Sequence, residues 1–310
     1  MLAGRDFISV SDLSRDEIQS LMDLAVRLES DSKQGRLEHR LSGKVIGLLF
    51  EKPSTRTRAS FETAVYQLGG QAMYLRADEL QLARGEPLKD TARVLAAYLN
   101  AVVIRTYAHE NLIEFAEYAR IPIVNALSDL EHPTQIVADM LTVLEAKGAL
   151  QGIKFVWVGD GNNVCNSWLL GATSVGMNMV VSCPRGYEPN RQILKKAELL
   201  AKNSGGSIRF VSDPLKAAEG ADVIYTDVWV SMGQDKETKK KERAFKPYQV
   251  NAKLVSRAKP DVAVMHCLPA HRGLEITDEV LEGPRSIVWK QAENKLHAAR
   301  AVLAAFLGGS

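Results

Sequence analysis

Two kinds of hydrophobic pattern alternate along the chain. Short, almost uninterrupted apolar runs occupy residues 45–50, 101–104, 121–124, 154–158, 178–181, 222–225 and 262–265. Continuous apolar character marks strands covered on both faces, as in parallel sheets. Between these runs, apolar residues recur at helical spacing. Phe61, Ala64, Val65 and Leu68 form one such face, and Ile136, Val137, Met140, Leu141 and Leu144 form another. Strand and helix in rotation predict an α/β architecture, each sheet largely parallel and flanked by helices. A long helix ends at Gly148, and a new series of strands begins at residue 154. The expected division is therefore a first domain over 1–147 and a second over 148–291. A C-terminal amphipathic helix over 292–310 is expected to return to the first domain.

Length and composition agree with this picture. The 310 residues, 46% hydrophobic and 25% charged, suit two globular domains. A formal net charge of +2 provides no bulk field for nucleic acid or an anionic membrane. The basic run at 235–243 (DKETKKKER) reads as a solvated face, with a weak nucleic-acid contact as the alternative. No apolar stretch reaches membrane-spanning length, and the N-terminus reads as neither signal nor transit peptide. Cys165, Cys183 and Cys267 are too few and too scattered for a disulfide framework. A reducing cytoplasm is the expected compartment.

Candidate chemistry gathers where strands end. After the run at 45–50 comes Glu51-Lys52-Pro53-Ser54-Thr55-Arg56-Thr57-Arg58, and then a helix. A helix N-terminus offers unpaired N–H groups and a positive dipole end, to which hydroxyls and a guanidinium add a phosphate cradle. The same residues would also serve as an ordinary N-cap with two surface arginines. Gly159-Asp160-Gly161-Asn162-Asn163-Val164 half-matches a dinucleotide fingerprint, but Val164 stands where the third glycine belongs, which argues against NAD. No P-loop occurs. Arg105 follows the run at 101–104, and His132 and Gln135 flank Pro133 at another helix start. Together with Arg56 they could share an anion; separately, His132 reads as a cap or core residue. Asp227, after the run at 222–225, would suit an ammonium group or a turn. Cys267, after His266, is either inert packing or a ligand-facing thiol.

Ser54-Thr55-Arg56-Thr57-Arg58, His132-Pro133-x-Gln135, Asp227-x-x-x-Ser231-Met232-Gly233 and His266-Cys267-Leu268-Pro269 resemble, in order, the signatures of the ornithine carbamoyltransferases. The first two motifs are shared with the aspartate branch of the aspartate/ornithine carbamoyltransferase family; the last two are specific to the ornithine branch. The resemblance spans nearly the whole chain. It implies a carbamoyl phosphate-binding first domain, an L-ornithine-binding second domain, and a homotrimer or higher assembly of trimers. It further implies carbamoyl transfer to the δ-amine of ornithine, in arginine metabolism, without cofactor or metal. By motif position, Ser54, Thr55, Arg56 and Thr57 resemble the phosphate cradle, and Arg105, His132 and Gln135 the groups around the carbamoyl carbonyl. Gln81 resembles a residue donated by a neighbouring subunit. Asn163, Asp227, Ser231 and Met232 resemble ornithine contacts, with Cys267 and Leu268 where the two substrates adjoin. The catalytic set implied is Arg105, His132, Asp227 and Cys267. Lys295 departs from the family pattern, which commonly has arginine after Glu-Asn; it keeps the charge but loses the planar fork. Rival readings are a carbamoyltransferase for putrescine or aspartate and a silent anion-binding paralogue.

Overall fold

The apolar runs become strands, and the strands assemble into two parallel sheets. The computed structural model describes residues 2–229 and 238–308. The chain divides into two compact units, Met1–Leu141 with Glu293–Ser310, and Thr142–Ala292.

The first unit contains α1 (Arg15–Lys33), β1 (Val45–Phe50), α2 (Thr55–Gln67), β2 (Gln71–Arg76), α3 (Leu88–Tyr98), β3 (Ala101–Arg105), α4 (His109–Ala119), β4 (Ile123–Leu127) and most of α5 (Pro133–Lys147). Its sheet order is β2-β1-β3-β4, all parallel. The chain leaves β1 towards β2 on one side and returns to β3 on the other. This reversal opens a crevice beyond the carboxyl ends of β1 and β3, where parallel sheets bind ligands.

The second unit contains β5 (Lys154–Val158), α6 (Asn163–Ser174), β6 (Asn178–Ser182), α7 (Arg191–Ser204), β7 (Ser207–Phe210), α8 (Pro214–Ala218), β8 (Val223–Thr226), α9 (Thr238–Phe245), α10 (Ala252–Val255), β9 (Ala263–His266) and α11 (Asp278–Leu281). The order β7-β6-β5-β8-β9 is again wholly parallel, and its reversal lies between β5 and β8. Stacked aromatics fill the space beside β5: Phe155 lies 4.0 Å from Trp168 between ring centroids, and Trp157 lies 5.1 Å from Tyr225.

The last helix, α12 (Val288–Leu307), starts earlier than the expected residue 292. Its later turns pack on the first unit, as its apolar face predicts. Phe306 stacks on Phe7 at 5.2 Å, its carbonyl accepts from Gly4 N–H at 2.9 Å, and the buried Arg300 donates to the Leu28 carbonyl at 2.8 Å.

Two strands escape the hydrophobic reading. β2 and β7 each stand at one edge of their sheet, and several of their side chains are exposed. An exposed edge strand need not be apolar on both faces, so neither produces a continuous run, whereas β4 and β9 at the opposite edges are covered and do. The basic segment also differs from expectation in one position. Lys239, Lys240 and Arg243 are exposed, but Lys241 is buried and lies 2.9 Å from Asp160. The carboxylate needs a counter-charge because burial pushes its pKa up, while Lys241 pulls it down.

Candidate active site

In the first unit, Ser54 caps α2. Its hydroxyl accepts from Thr57 N–H at 3.3 Å and contacts the Thr57 hydroxyl at 3.0 Å. Thr55, Arg56 and Thr57 thus form the first helical turn, with Thr57 buried and Arg56 half-buried. The two arginines of the motif have different surroundings. Arg58 is held by Glu62 at 2.9 Å and lies over the Tyr74 ring, whereas Arg56 makes no described ion pair.

The register Phe50↔Arg105 brings the end of β3 beside this loop, and Glu51 N–H donates to the Arg105 carbonyl at 2.8 Å. Glu51 also anchors the strand ends, accepting from the Thr106 hydroxyl at 2.6 Å and from Tyr107 N–H at 2.8 Å. Lys52 lies over the Tyr107 ring at 3.9 Å; burial and then the neighbouring Arg105 charge lower its pKa.

His132 and Gln135 are buried at the start of α5. The Gln135 side chain is held at both ends: its amide donates to Asp139 at 2.7 Å, and its carbonyl oxygen accepts from Lys295. Burial, then the Lys295 charge, then that of Arg105, hold His132 well below the usual histidine range. His132 is therefore a neutral imidazole at neutral pH, able to donate one hydrogen bond. Arg105, His132, Gln135 and Lys295 form one group. Gln81 stands exposed in the 3-10 turn Gln81–Arg84, and no described hydrogen bond joins its side chain to that group.

In the second unit, the loop after β5 is pinned by Trp157, whose indole donates to the Asp160 carbonyl at 2.9 Å. Gly159 has a φ of +138°, and a Cβ on Gly161 would fall 2.3 Å from Pro189 N, so glycine is required at both. The glycines shape this tight loop without completing a dinucleotide fingerprint, and Val164 is buried where the third would lie. Asn162 caps α6, accepting from Val164 and Cys165 N–H at 3.0 and 3.1 Å, and its amide donates to Asp227 Oδ2 at 2.7 Å. Asn163 is the first residue of α6 and is half-buried.

Asp227 is buried just beyond β8, and Cys267 is half-buried just beyond β9. The Cys267 thiol donates to Asp227 Oδ1 at 2.9 Å, and the same oxygen accepts from Val228 N–H at 2.8 Å. Burial pushes the Cys165 thiol far up and that of Cys183 to about 12, so neither is a thiolate. Leu268 adopts a φ of +58° before a cis Pro269. Ser231 and Met232 lie outside the described residues.

Asp227, His266 and Cys267 place three ligand atoms within 4.8 Å of one another, which is the spacing of a candidate metal cluster. Both nitrogens of His266 already have partners, however: Leu268 N–H at 2.8 Å and Glu275 at 3.1 Å. A metal ion bound through His266 would have to displace one of them.

Two participants were not singled out by sequence: Asp139 holds Gln135, and Lys52 adjoins Arg105. Asn162, legible only as a polar residue at a strand end, holds Asp227. The spacing of Asp139 four residues after Gln135 on one helix was a readable signal. The pairing of Asn162 with Asp227 had none, because 65 residues separate the two.

Comparison with known proteins follows the same division. Residues 5–145 match the model of the aspartate/ornithine carbamoyltransferase carbamoyl-P binding domain, and residues 151–306 that of the Asp/Orn binding domain. An ornithine carbamoyltransferase of Archaeoglobus fulgidus is 52% identical over 304 residues, covering 98% of both chains. An anabolic ornithine carbamoyltransferase of Pyrococcus furiosus is 50% identical over 308 residues, covering 99% of this chain and 98% of that relative. The solved structure of ornithine carbamoyltransferase from Pyrococcus furiosus superposes with a TM-score of 0.97 at 50% identity, covering 100% of this chain and 99% of that one. With both domain models matched in order and full-length relatives at this identity, the chain belongs to the aspartate/ornithine carbamoyltransferase family.

Proposed function

We propose that this protein is an ornithine carbamoyltransferase, moving the carbamoyl group of carbamoyl phosphate to the δ-amine of L-ornithine to give L-citrulline and phosphate. The observation that carries the choice of acceptor is the contact of Cys267 with Asp227 beyond β8 and β9. A buried carboxylate there suits an acceptor bearing an ammonium group and repels an acidic one such as aspartate. The names of the full-length relatives support the same reading, and the anabolic relative supports the direction of arginine biosynthesis.

In this reading the phosphate sits on the N–H groups of α2, with Ser54, Thr55, Arg56 and Thr57 around it. Arg105 and neutral His132 donate to the carbamoyl oxygen as charge develops on it. Lys295 adds positive charge while fixing Gln135. Asn163, Ser231 and Met232 hold ornithine, and Asp227 orients its δ-amine. Cys267 and Leu268 border the reacting atoms. The amine nitrogen bonds to the carbonyl carbon as the C–O bond to phosphate breaks. The surplus amine proton leaves to phosphate or solvent. Phosphate is already a good leaving group, so the residues need only position and stabilise, and positioning can supply roughly 7–11 kcal/mol.

The proposal extends to a homotrimer or an assembly of trimers in which Gln81 serves the neighbouring copy; its exposure on the first unit supports this. It also extends to a cytoplasmic location: among the described residues no helix is long and apolar enough to cross a membrane.

The test is an acceptor screen with carbamoyl phosphate and ornithine, acetylornithine, putrescine or aspartate. Citrulline formation from ornithine should dominate and rise from pH 6 to 9, because an amine of pKa near about 10 must lose a proton to attack. Faster turnover of putrescine or acetylornithine would overturn the assignment.

A further inference from the structure

We infer that Glu275 is a positioning residue for the Cys267–Leu268 turn and acts through His266. The inference rests on the proposed role of that turn at the ornithine site. The side chains of Glu275 and His266 are both completely buried. His266 Nδ1 accepts from Leu268 N–H at 2.8 Å, so the ring proton must sit on Nε2, which lies 3.1 Å from Glu275 Oε1. Glu275 is itself located by His271 N–H at 2.5 Å and by its own carbonyl, which accepts from Val250 N–H at 2.8 Å. The backbone N–H of His266 donates to the Gln291 side-chain oxygen at 3.0 Å, and the Gln291 amide donates to the Tyr225 hydroxyl at 3.0 Å.

The turn needs such an anchor. Leu268 has a φ of +58°, a conformation that a branched side chain adopts only when its surroundings impose it. Its N–H is drawn inward onto the imidazole, and the preceding Cys267 side chain meets Asp227. Without Glu275, nothing at Nε2 selects the tautomer. A proton shifted to Nδ1 would face the Leu268 N–H donor to donor and release the turn. A carboxylate buried at this depth is costly unless it is used, and its oxygen Oε1 meets both this ring and the His271 N–H.

The experiment compares the wild type with Glu275→Ala, Glu275→Gln, His266→Asn and the Glu275→Ala/His266→Asn double variant. Readouts are kcat, the KM of each substrate, and the rate of Cys267 alkylation by iodoacetamide, followed by mass spectrometry. Glu275→Ala should lower kcat/KM for ornithine about tenfold or more, with the KM for carbamoyl phosphate within about twofold. Glu275→Gln should keep most activity, because its amide oxygen still accepts from Nε2–H. In the His266→Asn background the alanine should add less than about twofold, since the path through the ring is already gone. Full additivity, or a Glu275→Ala enzyme with altered melting but normal ornithine kinetics, would overturn the inference. Should Glu275→Ala fail to fold, Glu275→Asp, whose shorter carboxylate withdraws from Nε2, is read in the same way. Wild-type protein that makes no citrulline would sink the proposed function alone. Cys267 alkylation would still test the anchor, with a several-fold change expected in Glu275→Ala and an unchanged rate counting against it.

Discussion

The Cys267 thiol donates a hydrogen bond to Oδ1 of Asp227 at 2.9 Å, while Asn162 holds the other carboxylate oxygen at 2.7 Å. The loops after β5, β8 and β9 therefore meet at one carboxylate, whose two oxygens are oriented separately.

Asp227→Ala should reduce kcat/KM for ornithine by about 100-fold or more and leave carbamoyl phosphate binding nearly unchanged, as expected for a lost charge-assisted contact. Cys267→Ser should retain substantial turnover, because a hydroxyl can make the same donation and direct attack uses no thiol nucleophile. Steady-state kinetics with each substrate varied would check both. Complete loss of activity in Cys267→Ser would point to covalent participation instead.

Arg56→Ala should weaken carbamoyl phosphate binding by about 10- to 100-fold, in line with hydrogen bonds to a charged group. Lys295→Ala should have a smaller effect of the same kind, because it removes a charge near His132 and frees the Gln135 carbonyl oxygen. Calorimetric titration with carbamoyl phosphate, or with inorganic phosphate as a stable probe, separates the two. Normal affinity in Arg56→Ala would remove it from the cradle.

Folded His132 stays neutral because burial, Lys295 and Arg105 all disfavour its proton. The unfolded chain takes up that proton below a pH of about 6.5, and the folded chain does not. Stability is therefore fully present above that pH and falls as the pH drops, by at most about 1.4 kcal/mol per unit from this group. Urea unfolding between pH 7.5 and 5 should show a shallower pH slope in His132→Gln. The difference isolates this residue from His109, whose pKa burial also lowers. An identical slope in the variant would contradict a neutral His132.

Gly161→Ala should destabilise the protein by about 1–3 kcal/mol through overpacking. The added Cβ would meet the backbone at Glu188 C and Pro189 N, 2.5 and 2.3 Å away, where no flexible side chain can yield. Relief by a shift of the loop would move Asn162 away from Asp227, so the ornithine KM should rise as well. Thermal melting and kinetics on one preparation would show both effects; a lower melting temperature with unchanged ornithine KM would uncouple loop and carboxylate.

Much of this protein is legible without coordinates because its information is local. A strand buried on both faces must be largely apolar, so seven runs stand out, from 45–50 to 262–265, those of the covered edge strands β4 and β9 included. Serine at a helix start and glycine at a forced φ are equally local demands, which is why Ser54 and Gly159 can be read in place. The exposed edge strands β2 and β7 lack that constraint and left no such mark.

Tertiary structure alone decided which partners each polar side chain acquires. Lys241 sits in a run that looks solvated, yet it turns inward because Asp160 is buried 81 residues away. Lys295 reaches Gln135 across 160 residues. Glu275 carries no motif, and its closeness in sequence to His266 does not reveal that it meets the imidazole nitrogen opposite the one holding Leu268. Sequence records the backbone's local preferences; buried charge and hydrogen-bond satisfaction depend on what the fold brings within about 3 Å, and only the folded chain sets that distance.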